Sequence, residues 1–264
     1  MATVKVAIIG GGNLGQSIAE GLLASGFCQG SDIWMTRRNI TAIQHWKPRG
    51  INVTDNNKAA VKAAQIVVLA VKPFQVSEVL QGFKRELTAK HILISVVTGV
   101  TMNDMNSIVG KKLSVCRAMP NTAIAIRESM TCLSFTESTE QQIKLVRSLF
   151  ETVGKVAVID EKLMDAATVL GACGTAYAMR YIRANIQGGI EIGFDAATAS
   201  LIAAQTVKGA AELLLKKGSH PEQEIDKVTT PKGCTIAGLN EMEHQGFSSS
   251  LIKGISASFK KIQH

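Results

Sequence analysis

The stretch "IIGGGNLGQS", residues 8–17, decides how the first half of the chain folds. It continues an apolar run, "KVAIIG" (5–10), carries G-x-G-x-x-G at Gly10, Gly12 and Gly15, and opens a segment, 14–25, with apolar residues at helical spacing. Strand, glycines and helix in that order are what a dinucleotide-binding turn requires. Gly10 allows the tight turn, Gly12 lets backbone approach a pyrophosphate, and Gly15 lets helix and strand pack closely. The helix N-terminus adds positive potential and free N–H groups. A plain βα turn is the alternative reading of the same residues.

Outward from this turn, short β-branched runs alternate with helical spacing as far as about residue 160, the pattern of a parallel α/β sheet. Strands are expected at 5–10, 32–36, 51–54, 66–71, 92–97, 113–119, 130–135 and 155–160, with helices over 14–25, 75–87 and 137–150. From 161 onward the period is helical almost throughout. A helix over roughly 162–188, with "AATVLGACGTAYAM" at its centre, is apolar over much of its circumference and must be enclosed by other helices or by a second subunit. Asp195 is placed to cap a helix ending at Lys217, with Gly218 just beyond it. A polar connection, "SHPEQEIDKVTTPKG", then leads to two final helices near 234–245 and 249–262. Two closely packed domains, 1–160 and 161–264, are expected.

Composition narrows the function classes. With 264 residues, 46% of them hydrophobic and 19% charged, the chain reads as an ordinary globular protein. No uncharged stretch reaches the roughly 18 residues of a membrane span, and a cytoplasmic location is expected. The net charge of +8 is spread out and aromatics make up only 5%, which speaks against a nucleic-acid surface and for an anionic small molecule. Five widely spaced cysteines with no C-x-x-C pair, and five scattered histidines, give no disulfide framework and no metal site.

The second strand bears on cofactor choice. A site for NAD usually ends this strand with a carboxylate that binds the ribose hydroxyls. Here it ends "MTRRN": Thr36 can hydrogen-bond a 2′-phosphate and Arg37 and Arg38 can pair with it, so NADP(H) is favoured over NAD(H). One of the two arginines is equally well read as a solvated corner. "VVLAVKP" (67–73) puts Lys72 and Pro73 at a strand exit, where a lysine serves as an acid or base or simply as a solvated end. "SVVTGVT" (95–101) adds a glycine turn at Gly99, and "RAMPNTAI" (117–124) places Pro120 and Asn121 after another strand.

These pieces in this order, "IGGGNLG", "LAVKP", "TGVT", "RAMPNT" and above all "DKVTTPKGCTIAGL" (226–239), resemble the pyrroline-5-carboxylate reductase family over nearly the whole chain. The resemblance implies an α/β Rossmann-type N-terminal domain binding NADPH, with NADH as a weaker substitute. It also implies an all-α C-terminal domain of the 6-phosphogluconate dehydrogenase C-terminal-like type. That helical domain would form a homodimer, open to higher assembly, and the reaction would be reduction of 1-pyrroline-5-carboxylate to L-proline. The cofactor contacts implied are Gly10, Gly12, Asn13, Leu14, Gly15, Thr36, Arg37, Arg38, Asn57, Ala70, Val71, Lys72 and Pro73, with Val97, Thr98 and Gly99 near the nicotinamide. Asn121, Gly233, Cys234 and Thr235 would meet the substrate.

The chain departs from the family pattern at three places. Ala123 stands where a proline is usual, Lys232 where glycine is common, and "LGACGTAY" (170–177) where S-G-S-G-P-A-Y is usual. Hydride transfer to a cyclic imine needs neither nucleophile nor metal; it needs the C=N carbon held against the nicotinamide and its nitrogen protonated or hydrogen-bonded. Thr235 is the expected hydroxyl for that nitrogen, with N–H groups near Gly233, Cys234 and Thr235 for the carboxylate. Without the resemblance a helix-capping threonine is the plainer reading. A reductase of another imine or of a β-hydroxyacid, or a non-catalytic NADP(H)-binding regulator, are the alternatives; the β-hydroxyacid enzymes use a lysine on the long helix, and 163–182 contains none.

Overall fold

The computed structural model describes residues 4–110 and 112–262. Eight strands form one sheet: β1 Val6–Ile9, β2 Ile33–Thr36, β3 Asn52–Thr54, β4 Ile66–Leu69, β5 Ile92–Ser95, β6 Ser114–Met119, β7 Ser129–Thr136 and β8 Gly154–Val158. They lie in the order β3-β2-β1-β4-β5-β6-β7-β8. β1 pairs in parallel with β2, Val6 facing Ile33, and with β4, Val6 facing Ile66. Chain order reverses between these neighbours, so β1 and β4 flank the switch point at which open α/β sheets bind ligands.

The helices of this part are α1 Asn13–Ala24, α2 Asn57–Ala63, α3 Val76–Phe83, α4 Met102–Val109, α5 Glu140–Glu151 and the short α6 Met164–Ala167. They cover both faces of the sheet. Val6, Ile8, Ile66 and Val68 pack under Ile18 and Leu22 of α1 and Phe150 of α5. Ala7, Ile9, Val67 and Leu69 pack under Val61 of α2, Leu80 of α3 and Met105 of α4. Burial on both faces explains why these strands are unbroken apolar runs and not alternating ones. Each fully buried Ile or Leu contributes roughly 1.5–3 kcal/mol relative to exposure.

The sheet is not parallel throughout. β7 runs antiparallel to β6, with Cys116 facing Phe135. The link 120–128 is too short for the crossover that a parallel pair needs, and it folds into a tight 3₁₀ turn at Thr122–Ile126. The strands at 66–69 and 92–95 also stop sooner than their apolar runs; the Ala70 and Val96 N–H groups still donate to the Ile9 and Leu69 carbonyls, and Ala70–Val71 and Val96–Val97 line a crevice.

Residues up to Cys173, with Ile262, form one compact unit, and Gly174–Lys261 form a second. A π-helical turn, Thr168–Cys173, follows α6 in the first. The second is helical: α7 Gly174–Glu191, α8 Ala196–Lys217, α9 Pro221–Asp226, α10 Cys234–His244 and α11 Phe247–Ile262. The Asp195 carboxylate accepts from the N–H groups of Ala197 and Thr198, and Gly218 ends α8 at φ 65°. The Tyr177 and Ser258 hydroxyls lie 2.6 Å apart, and Tyr181 packs on Phe247. α9 replaces part of the expected polar connection. Its sequence, "PEQEID", has no apolar stripe, but Pro221 at its first position and His220 as N-cap start it.

Much apolar surface of this second unit stays uncovered within one chain. Ile192 is 78% exposed and Leu201 and Leu215 are each 71% exposed.

Candidate functional site

A crevice of about 1340 Å³ opens at the carboxyl ends of β1, β2, β4 and β5. Gly10, at φ 113°, makes the turn out of β1, and a Cβ there would collide with the Ala70 carbonyl. A Cβ on Gly15 would collide with the carbonyl of Gly10, so the start of α1 can sit this close to the strand only with glycine. Gly12, which caps α1 without any side chain, faces open space on the crevice wall beside Asn13 and Leu14. The first turn of α1 contains no acidic residue, and its N–H groups have no acceptor within the helix. These residues fit a pyrophosphate.

Thr36, 2% exposed, fastens the glycine turn to β2: its carbonyl accepts from Gly10 N–H at 3.2 Å and Gly11 N–H at 2.7 Å. Arg37 reaches back, and its Nη1 donates to the Gly11 carbonyl at 2.9 Å. Arg38 stays exposed on the crevice wall. The two arginines are therefore unequal. One braces the turn, and the other is the freer cation at the end of β2.

Asn57 and Ala70 to Pro73 also line the crevice, as do Val97 and Thr98. Lys72 is exposed, and its backbone N–H donates to Gln75 Oε1 at 3.3 Å. Gly99, at φ 73°, shapes the turn that follows Thr98. Asn121 is occupied with local structure. Its Oδ1 accepts from Ala123 N–H at 3.1 Å and its Nδ2 donates to the Gly171 carbonyl at 3.2 Å, while Thr122 beside it reaches the crevice.

Gly233, Cys234 and Thr235 belong to the helical unit, where Gly233 is the N-cap of α10 and no side chain caps the helix. Thr235 lies one residue inside the helix and is half-buried, and among the described residues its hydroxyl has no hydrogen-bond partner. The capping role is thus not filled by Thr235. Residues 230–233 form a turn in which Gly233 N–H donates to the Thr230 carbonyl at 2.9 Å, leaving the N–H groups of Cys234 and Thr235 as open donors. Pro231 occupies the second position of that turn, and Lys232 sits at φ 60° in the third, where glycine fits best. Lys232→Gly should raise stability by up to about 1 kcal/mol, read from denaturant midpoints at fixed protein concentration.

Several residues that line the crevice or brace its glycine turn were not singled out as site residues by the sequence. Gln16 Nε2 donates to the Gly11 carbonyl at 3.2 Å, and Trp46 Nε1 donates to Gln16 Oε1 at 2.9 Å, so the glycine turn has a second brace. Asp55, Asn56 and Lys58 line the wall near Arg38, and the Asn56 side chain accepts from Ala59 N–H at 3.1 Å to start α2. "DNNK" after the third strand was their only sequence signal.

The buried cysteines Cys28 and Cys116 are no poised nucleophiles. Burial pushes the Cys28 thiol up to about 12 and raises that of Cys116 further. Among the described residues no group of three or more His, Cys, Asp or Glu could hold a metal ion, and no helix is long and apolar enough to cross a membrane.

Comparison with known proteins agrees with this geometry. Residues 161–264 match the pyrroline-5-carboxylate reductase dimerisation family, and residues 5–99 match the family described as NADP oxidoreductase coenzyme F420-dependent. Pyrroline-5-carboxylate reductase 1 of Dictyostelium discoideum is 47% identical over 97% of this chain, which spans only 49% of that relative's length. Pyrroline-5-carboxylate reductase 2 of the same organism is 44% identical over 97% of this chain and 91% of its own. The crystal structure of Plasmodium falciparum pyrroline carboxylate reductase with NADP bound superposes with a TM-score of 0.89 at 26% identity, covering 99% of this chain and 98% of that one. With an α/β unit whose glycine turn opens on a crevice, a helical region matching the dimerisation family, and relatives of this similarity along its length, the chain belongs to the pyrroline-5-carboxylate reductase family.

Proposed function

We propose that this protein reduces 1-pyrroline-5-carboxylate to L-proline with NADPH. The observation that carries the cofactor is the end of β2, where Thr36 and two arginines stand and no carboxylate follows the strand. The substrate rests on membership of the family and on the loop 226–239. NADPH, when bound, supplies the hydride. Gly10, Gly12, Asn13, Leu14 and Gly15 form the pyrophosphate turn, Arg38 with Arg37 and Asn57 receives the adenosine end, and Ala70–Pro73 with Val97–Gly99 border the nicotinamide.

In the helical region, 161–264, the Cys234 and Thr235 N–H groups at the start of α10 suit a carboxylate. The Thr235 hydroxyl holds or delivers a proton at the ring nitrogen as the adjacent carbon is reduced. Following NADPH absorbance with and without 1-pyrroline-5-carboxylate tests this reading. Substrate-dependent oxidation is expected, and its absence with authentic substrate would sink it.

The same region supports a homodimer. Ile192, Leu201 and Leu215 leave more apolar surface open than a single soluble helical unit tolerates, and the matched family is one of dimerisation. Light scattering should therefore report at least a dimer at micromolar concentration, and a folded, active monomer would overturn the assignment. The five free cysteines suit a reducing, cytoplasmic setting.

A further inference from the structure

One buried charge is not used by the cofactor crevice or the substrate loop. Arg117, in the middle of the sheet on β6, is only 3% exposed, and it lies between Ser95 of β5 and Ser134 of β7. Alternation along β6 puts it on the same face as Val115, under α4. Its Nη1 donates to Glu161 Oε1 at 3.3 Å, and its Nη2 lies 3.6 Å from Asp165 Oδ1. Among the described residues Nε and Nη2 have no hydrogen-bond partner, nor has Asp165 Oδ1. A buried cation held this incompletely is costly, and an apolar side chain of similar volume would pack the sheet at less cost. Stability alone does not explain it.

What Arg117 does hold is the turn after β5. The same Glu161 Oε1 accepts from the Met102 N–H at 2.7 Å, at the first residue of α4. One residue earlier, the Thr101 hydroxyl and N–H both donate to Asp104 Oδ2, at 2.6 and 2.9 Å. The Thr101 hydroxyl first, then its N–H, and more weakly the charge of Arg117, hold Asp104 below the usual carboxylate range. The turn Thr98–Thr101 thus runs from the end of β5, where Val97 N–H donates to Ser95 Oγ at 3.3 Å, to an α4 terminus tied through Glu161 to Arg117. Val97 and Thr98 of this segment form the crevice wall.

We propose that Arg117, acting through Glu161, is a positioning residue that sets the Val97–Thr98 wall of the crevice. This rests on the reading above that this wall borders the nicotinamide half of the cofactor, and Arg117 itself touches neither cofactor nor substrate. The adenosine half meets Arg38 and Asn57 and does not depend on it. The two halves can therefore be separated by ligand: NADPH spans both, while adenosine 2′,5′-bisphosphate fills only the second.

Isothermal titration of the full chain with each ligand tests the role, using Arg117→Met, Glu161→Ala and Glu161→Gln. Arg117→Met and Glu161→Ala should weaken NADPH by up to about tenfold, reached if the energy of the lost internal charge-assisted hydrogen bond is all passed on to ordering the wall, and leave adenosine 2′,5′-bisphosphate unchanged. Glu161→Gln keeps an oxygen for the Met102 N–H and should recover most of the affinity. Glu161 is partly exposed at the surface, so its two variants carry the test if Arg117→Met does not fold. Equal weakening of both ligands, or unchanged NADPH binding in Glu161→Ala, overturns the proposal. Wild-type protein that binds the bisphosphate as tightly as NADPH overturns the nicotinamide assignment, and this role with it.

Discussion

Thr235→Ala should lower kcat for 1-pyrroline-5-carboxylate by about ten- to a thousandfold while NADPH binding changes little. That range covers loss of a single positioned donor or proton-transfer group. The prediction follows from where the hydroxyl sits. Thr235 is the second residue of α10, past the Gly233 cap, and its side chain has no hydrogen-bond partner among the described residues, so its removal deletes no internal bond. A stability loss large enough to mimic the kinetic effect is not expected, and thermal unfolding of the variant checks this. Thr235→Ser keeps the oxygen and should retain most activity. Near-normal kcat in the alanine variant would move the proton to water or to another group, and would leave Thr235 as a packing residue.

The double variant Arg37→Ala, Arg38→Ala should raise the KM for NADPH far more than that for NADH. Losing one good charge-assisted contact costs on the order of 1.5–3 kcal/mol, about ten- to a hundredfold in affinity, and only the 2′-phosphate distinguishes the two cofactors. The single variants should divide the effect. Arg37 already donates to the Gly11 carbonyl, so Arg37→Ala should loosen the turn that both cofactors use and raise both KM values. Arg38 is exposed on the same wall and, among the described residues, has no hydrogen-bond or ion-pair partner, so Arg38→Ala should act mainly on NADPH. Equal loss with NADPH and NADH in the Arg38 variant would place the phosphate elsewhere. Lys58 is the next cation to test.

The α/β half was legible because its signals are local. Buried parallel strands must be apolar on both faces, so Val6–Ile9, Ile66–Leu69 and Ile92–Ser95 stand out as unbroken runs, and the three glycines are demanded by backbone geometry within one turn. Asp195 and Gly218 bounded α8 for the same reason, since a helix end must satisfy its own N–H and C=O groups. The short helices α2, α4 and α9, of six to eight residues each, did not announce themselves, because so few turns show little periodicity and caps and neighbours decide such helices more than composition does.

Tertiary structure alone decided the rest. The direction of β7 depends on how far a short link can reach. The inequality of Arg37 and Arg38 depends on a carbonyl that sequence places 26 positions away from Arg37. Trp46, Gln16 and Gly11 meet only when the chain folds, as do Arg117, Glu161 and the Met102 N–H. These contacts join residues from separate elements, and their energies come from distance and burial, which periodicity and spacing along one chain do not encode. The sequence by itself therefore determined the sheet, the glycine turn and the family resemblance, whereas packing determined which polar side chains brace the crevice and which remain open to a ligand.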